Sequence, residues 1–500
     1  MAYGGAYGRI LVFMIVAMVF SSTTFGDVRL PKIFSSHMVL QREIPLPVWG
    51  WAGPNESVTV EIADQKVTAT ADKDGKWQVR LSPLNAGGPY TMTVTGKNKL
   101  VFDDILGGDV WFCSGQSNMT VLVREANDGP KEIAGANDPK IRLFQATYVM
   151  AHLANQPNSD LSDGFSWYEC TPKTVGDFSA IAYFFGRELR KAVDVPIGMI
   201  HVSWGATCID TWCPREVLLQ DATGRNSLKD WDAAWAAYRM DKTKKNPSQA
   251  NNSNEFVTVS NQPAGLFNGA VHPIIPYGIK GVLWYQGEGN TPEPKRYLKL
   301  FPAMIRAWRK AWGQGDFPFL YVQLANYEKR SPEPSESDWA EFRETQMLAQ
   351  KTAKTAMITA VDIGDEVTIH PPNKQEVGRR LALAAQAVAY GKKVVYRGPV
   401  YQSMKIEKGK IRLRFKEVHG GLVVKGPELK GFAIAGDDKK FVWAKAKIDG
   451  NDVVVWSDAV AKPVAARYAW AKNPECTLYN TEGLPAFPFR TDQWPGVTNR

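Results

Sequence analysis

Cysteine is scarce in this 500-residue chain: Cys113, Cys170, Cys208, Cys213 and Cys476 are its five. So few exclude a disulfide-dense scaffold, and an odd number leaves at least one thiol without a partner in the chain. Cys208 and Cys213 are near enough in sequence to suggest a bridge. No Cys-x-x-Cys pair and no His-Glu-x-x-His helix occurs, so the common zinc signatures are missing and no metal or cofactor is expected. Beyond residue 26 no apolar run approaches the ~20 residues that span a bilayer. No basic stripe interleaved with aromatics occurs, so no nucleic-acid partner is expected. Internal repeats and low-complexity tracts are also missing, and with 44% hydrophobic and 22% charged residues the composition is globular, not disordered.

The first 26 residues differ from the rest. Arg9 precedes the apolar run Ile10 to Phe20, and Ser21-Ser22-Thr23-Thr24-Phe25-Gly26 follows. One charge, a short apolar stretch and a small-residue tail describe a signal peptide over residues 1–26, cleaved near Gly26–Asp27. A secreted or periplasmic location is expected, with no stable membrane insertion after cleavage. The formal charge of +9 falls to +8 without Arg9. That balance bears on solubility and encounter, not on fold.

Three segments follow. Residues 27–105 read as a β-sandwich segment, because Val58 to Ile62 and Tyr90 to Val94 alternate and Gly53-Pro54-Asn55, Asp74-Gly75 and Gly87-Gly88-Pro89 mark turns. Residues 106–395 alternate short buried strands (109–113, 196–202, 280–285, 319–323, 357–361) with helices (178–193, 297–311, 374–390), the pattern of an α/β parallel sheet. Residues 396–500 return to strands at 411–415, 421–424 and 452–456. A stretch at 240–262, rich in Lys, Asn and Ser, reads as a solvated excursion.

Ligands of parallel α/β sheets bind at the carboxyl ends of the strands. Past the first strand lies Ser114-Gly115-Gln116-Ser117-Asn118-Met119, with Ser117 at a strand-to-helix turn. It is a candidate nucleophile, although an N-cap is the commoner role of such a serine. A nucleophilic serine needs a base, and only six histidines exist: His37, His152, His201, His272, His370 and His419. His201 falls inside a strand, as a packed core histidine would. His272 precedes a proline and is a weaker candidate, and His37 and His419 belong to the β segments. His370 follows the last strand of the centre and is the base by elimination. Gly205, through its N–H, and Gln286, through its side-chain amide, are candidate donors to a developing oxyanion.

Gly-Gln-Ser-Asn-Met at 115–119, Trp-Tyr-Gln-Gly-Glu at 284–288 and Ile-His-Pro-Pro-Asn-Lys at 369–374 resemble the SGNH-type sialate O-acetylesterases. The resemblance extends to Gly378 to Leu383, to Met38 to Arg42 and to Gly483 to Asp492, and so covers nearly the whole mature chain. It implies an SGNH-type three-layer α/β catalytic domain joined to a jelly-roll-like β domain, and hydrolysis of O-acetyl esters on sialic acid without metal. Carried over, Ser117 is the nucleophile, His370 the base, and the N–H of Ser117 with Gly205 and Gln286 the oxyanion hole. Superfamily members often place Asp three residues before the histidine, where this chain has Val367. Asp365 is then the expected third member, with Asp362 as an alternative and a Ser–His dyad as another. The family's Gly-Gly-Thr is Gly205-Ala206-Thr207 here. Arg343, Arg379 and Arg380 are candidates to meet a sialic carboxylate, with ordinary ion pairing the plainer role. An acetylated xylan or other glycan as substrate, a non-catalytic glycan-binding protein on this scaffold, and a lipase-like esterase for long acyl chains are the competing readings.

Overall fold

The computed structural model describes residues 26–146, 157–247 and 261–499. The expected signal peptide therefore lies outside the described residues except for Gly26, as does much of the 240–262 excursion. At the centre lie seven strands: β1 (Lys99–Gly115), β2 (Asp138–Gln145), β3 (Trp167–Cys170), β4 (Ile197–Ser203), β5 (Gly281–Tyr285), β6 (Phe319–Gln323) and β7 (Thr355–Thr359). Across the sheet the order is β7-β6-β5-β1-β4-β2-β3. Neighbours pair in parallel except at the edge, where β3 runs antiparallel to β2.

Burial on both faces explains the unbroken apolar runs: β4, β5 and β6 are buried along their whole lengths. Successive residues of a strand point to opposite faces. In β1, Trp111 meets Phe185 with ring centroids 4.9 Å apart, while Phe112 meets Trp308 and Trp312 at 5.8 and 5.5 Å. Helices therefore cover both sides. They include α1 (Ser117–Thr120), α2 (Ala180–Ala192), α3 (Pro294–Trp312), α4 (Asp338–Leu348) and α5 (Lys374–Val388). Helices α2 and α5 pack against each other across Gly378, where a Cβ would come 2.6 Å from the Phe184 Cβ.

β1 also belongs to the amino-terminal β region. Its first half pairs antiparallel with the Gly87–Thr95 strand, and its second half pairs in parallel with β4 and β5. The boundary expected at residue 105 therefore falls inside one continuous strand. Amino-terminal residues such as Val48, Val60 and Val79 share a buried cluster with the central sheet. The carboxyl-terminal strands instead enclose their own core, which includes Leu413, Phe432, Val455 and Tyr468. The two β regions thus do not pack as one sandwich.

The carboxyl-terminal region docks beside the ends of β6 and β7. Arg343 of α4 is fully buried and donates to the carbonyls of Leu324, Ala325, Ala471 and Lys472 at 2.7–3.0 Å. Four acceptor carbonyls make it a structural tie. All five cysteines are free, so the suggested Cys208–Cys213 bridge is not present. Among the described residues no helix is long and apolar enough to cross a membrane.

Candidate active site

β1 ends at Gly115, whose φ of +142° favours glycine, and a Cβ there would meet the Tyr285 carbonyl oxygen at 2.1 Å. The close approach is used: Gln116 N–H donates to that carbonyl at 2.9 Å, and Trp204 N–H donates to the Gly115 carbonyl at 3.1 Å. The end of β1 is thereby held between the ends of β4 and β5. The chain then turns into α1, and Ser117 opens that helix half-buried. Gln116 Oε1 accepts from Gly287 N–H at 3.1 Å and Gly289 N–H at 3.5 Å, which fastens the loop after β5 beside the serine.

His370 arrives on the loop after β7. Its Nε2 lies 2.8 Å from Ser117 Oγ, so a neutral imidazole with its proton on Nδ1 accepts a hydrogen bond from the hydroxyl. The loop is held from within. Asp365 Oδ1 accepts from the N–H groups of Val367 and Thr368 at 2.7 and 2.9 Å, and Thr368 Oγ1 accepts from His370 N–H at 3.1 Å. From outside, Asn326 Oδ1 accepts from Gly364 N–H at 2.5 Å. Partial burial, and then the nearby Lys374 ammonium, lower the pKa of His370, with Glu125 opposing them. The imidazole is thus kept in its basic, uncharged form at neutral pH.

Two sequence expectations need correction. Asp365 does not reach His370: its carboxylate caps the backbone of its own loop, and those two N–H bonds lower its pKa. Asp362 is no substitute, because both its oxygens face Arg380, at 2.7 and 2.8 Å, and Tyr479 also donates to it. Val367 stands 84% exposed, so it does not fill an apolar slot in place of an acid. Gln286 is fully buried, and its side-chain N–H groups go to the Thr207 carbonyl (2.9 Å) and Asn290 Oδ1 (2.8 Å). The amide braces two loops in this arrangement and does not present a free donor. Its Oε1 is buried without a partner.

Gly205 does lie beside the serine, since a Cβ built on it would sit 3.5 Å from Ser117 Cβ. Ala206, in place of the family's second glycine, adopts φ +56°, the left-handed conformation that glycine takes without strain. The other histidines are occupied elsewhere. His201 is fully buried in β4, 2.6 Å from Ser203 Oγ, and burial pushes its pKa down to about 3. His37 sits against Asp104, His272 against the Asn158 carbonyl and His419 against Glu417; His152 lies outside the described residues. His37, Asp104 and Glu169 form a cluster of metal-ligand type, but Arg142 lies among them and donates to Asp104. Arg379 and Arg380 pair with Glu376, and Arg380 also with Asp362. None of the three arginines considered for a substrate carboxylate is unpaired.

Sequence reasoning passes over three residues inside its own motifs: Asn118, Glu288 and Lys374. Asn118 Nδ2 donates to Glu288 Oε1 at 2.6 Å and to the Ile369 carbonyl at 3.0 Å, while its Oδ1 accepts from Lys374 Nζ at 2.6 Å. The available signal was their place in the chain: Asn118 follows Ser117, Glu288 lies two residues after Gln286 and Lys374 four after His370.

The family model of a carbohydrate esterase, sialic acid-specific acetylesterase, matches residues 268–387, which include Gln286 and His370. The chain is 30% identical to the sialate O-acetylesterase of Mus musculus, covering 96% of this chain and 97% of the mouse protein. It is also 30% identical to the sialate O-acetylesterase of Homo sapiens, covering 98% of each. Among solved structures, a carbohydrate acetylesterase from Xanthomonas citri superposes with a TM-score of 0.82 at 39% identity, over 93% of this chain and all of that one. A serine and a histidine in contact at the carboxyl edge of a parallel sheet thus coincide with full-length similarity, and the chain belongs to the sialate O-acetylesterase family.

Proposed function

We propose that this protein hydrolyses O-acetyl esters of sialic acid by way of an acetyl-enzyme, with Ser117 as nucleophile and His370 as general base. The observation that carries the reading is the 2.8 Å contact between Ser117 Oγ and His370 Nε2. Oγ attacks the acetyl carbonyl as its proton passes to Nε2, and the imidazolium then protonates the departing sugar oxygen. Water, deprotonated by the same nitrogen, attacks the acetyl-serine; acetate leaves and Oγ recovers its proton. The backbone N–H groups of Ser117 and Gly205 are the proposed oxyanion donors, Gly205 because its backbone runs beside Ser117. Gln286 would join them only by giving up a bond to Thr207 or Asn290.

With Asp365 and Asp362 engaged elsewhere, the reading is a Ser–His dyad. A third group's task is to hold the imidazole and stabilise its cation, and here the loop bonds of Asp365 and Thr368 supply the holding. The proposed architecture is an SGNH-type three-layer domain with a jelly-roll-like carboxyl-terminal β domain and a cleaved amino-terminal signal peptide. The three-layer assignment rests on the aromatic packing of β1 against helices on both faces.

One observation favours a second substrate. Arg343, Arg379 and Arg380 are all committed to protein acceptors, so none waits for a sialic carboxylate. A neutral acetylated glycan would need no such partner. The test is acetate release from mucin rich in O-acetylated sialic acid, beside acetylated xylan, with the wild type and Ser117→Ala. Release from mucin that the substitution abolishes supports the first reading, and release from xylan alone moves the substrate to a neutral glycan. Full activity in Ser117→Ala removes the mechanism.

A further inference from the structure

We propose that Asn118, Glu288 and Lys374 form a buried clamp that holds Ser117 in register with His370, so that all three are positioning residues. The inference rests on the Ser–His reading. One side-chain amide, a single residue after the nucleophile, bonds to chain on both sides of the base. Asn118 Nδ2 holds the carbonyl of Ile369, immediately before His370, and Asn118 Oδ1 holds the ammonium of Lys374, four residues after it. The same Nδ2 holds Glu288, in the loop whose Gly287 and Gly289 N–H groups bind Gln116 Oε1 immediately before the serine. Three loops from β1, β5 and β7 thus converge on one amide.

The chemistry of the clamp argues against a role in bulk stability alone. Asn118 is 1% exposed and Lys374 fully buried. Burial lowers Lys374 to about 7 against the opposing pull of Glu288, and raises Glu288 against its bond to Asn118 and the attraction of the Lys374 charge. Ionisable groups are costly to bury, and well-packed apolar residues would fill the same volume at no loss of stability. Glu288 Oε2 is buried without a partner, so the site is not optimised for satisfaction either. What an apolar filling lacks is direction: hydrogen bonds fix the separation of the loops to tenths of an ångström, and a 1 Å misplacement costs ~100-fold in rate.

Lys374 has a second consequence. The charged groups around the imidazole are Lys374, which disfavours its protonation, and Glu125, which favours it; Asp365, on the same loop, is turned to the N–H groups of Val367 and Thr368. Removing the ammonium should raise the pH at which His370 titrates.

The test combines activity with a direct reading of the imidazole. Histidine labelled with 13C at Cε1 is followed by NMR against pH, with His370 assigned by its loss in His370→Asn. In Lys374→Met, and in the charge-neutral pair Lys374→Met with Glu288→Gln, the His370 midpoint should rise above that of the wild type. With p-nitrophenyl acetate, Asn118→Ala should lower kcat ~100-fold with KM nearly unchanged. Glu288→Gln, which keeps an acceptor for Asn118, should lose far less than Glu288→Ala. The proposal is overturned if folded Lys374→Met titrates His370 as the wild type does, or if folded Asn118→Ala keeps wild-type kcat. A shifted His370 in a protein that releases no acetate from any ester would leave the clamp standing and remove the esterase reading.

Discussion

Replacing Asp365 separates a loop-capping carboxylate from a catalytic one by magnitude. In the structure this side chain accepts two backbone hydrogen bonds, from Val367 and Thr368, and makes none to His370. A net ~0.5–1.5 kcal/mol per bond, toward the lower end for a partly solvated acceptor, gives ~1–2 kcal/mol for the pair. If the loop loses that much, the ratio of loop with His370 in place to loop with it displaced falls by ~5–30-fold, since 1.4 kcal/mol is a factor of ten, and that is the ceiling on the loss of active population. Asp365→Ala should therefore lower kcat/KM for p-nitrophenyl acetate by no more than ~30-fold. Asp365→Asn should stay within ~3-fold, because the amide oxygen accepts the same two N–H groups. An acid that fixes the tautomer and stabilises the imidazolium behaves differently: its replacement by the amide costs ~10⁴-fold with the fold intact. The assay is kcat and KM at about pH 7.5, beside unfolding midpoints for each variant. A loss of ~10³-fold or more in Asp365→Asn, at unchanged KM and stability, would refute the loop-cap assignment and reinstate a triad.

In the proposed mechanism the neutral imidazole is the active form, and because burial and Lys374 hold its pKa below the ordinary 6.5, kcat/KM should rise with pH on a limb whose midpoint lies below that value; an acidic limb centred above it would contradict the reading. Arg380→Met should cost ~3–5 kcal/mol in urea unfolding, because it strands the buried Asp362 carboxylate. Burial raises Asp362, but its bonds to Arg380 outweigh this and leave it below the ordinary carboxylate value, so its contribution to stability is present at neutral pH and is lost as acid protonates it; a variant as stable as wild type would oppose the pairing. Ala206→Gly should stabilise the protein by ~0.5–1 kcal/mol by relieving a left-handed alanine, and a loss of stability would count against that strain. Val367→Asp should change kcat/KM by no more than ~5-fold, since at 84% exposure a new carboxylate is screened by water; a gain of ~100-fold would show that the loop can deliver an acid to His370.

Much of the scaffold was legible because its signals are local. Phe319–Gln323 reads as a strand and is one, and Ala180–Ala192 and Lys374–Val388 lie within the helices expected at 178–193 and 374–390. The pairing of Ser117 with His370 was legible by elimination, since few histidines exist and only His370 follows the last strand of the centre. The boundary at 105 was not, because β1 is one strand with antiparallel neighbours early and parallel neighbours late, and local pattern does not encode partners. The jobs of Asp365 and Gln286 were not legible for a related reason. Residue type gives the capacity to donate or accept, while the receiving group is set by tertiary placement, here the N–H groups of 367 and 368 and the carbonyl of Thr207.

Those two displacements follow one rule. A side chain that the chemistry would recruit as an exposed donor or acceptor is, in this fold, already engaged within the protein, Asp365 by backbone N–H groups and Gln286 through its amide N–H groups to Thr207 and Asn290, and engaged groups hold position. Asp365 and Gln286 thereby hold the loops that carry His370 and that flank Ser117, while Asn118 joins those loops beneath the pair. The acid missing at Val367 is then compensated by restraint. On the dyad reading, a loop fixed at Asn326, Asp365, Thr368 and Asn118 aims its imidazole without a carboxylate, while partial burial, and then Lys374, disfavour the charged imidazole. In the proposed mechanism the cost of the arrangement is that the imidazolium formed during acyl transfer has no carboxylate bonded to it. A dyad of this kind would draw more of its transition-state stabilisation from the proposed oxyanion donors at Ser117 and Gly205, whose backbones lie side by side.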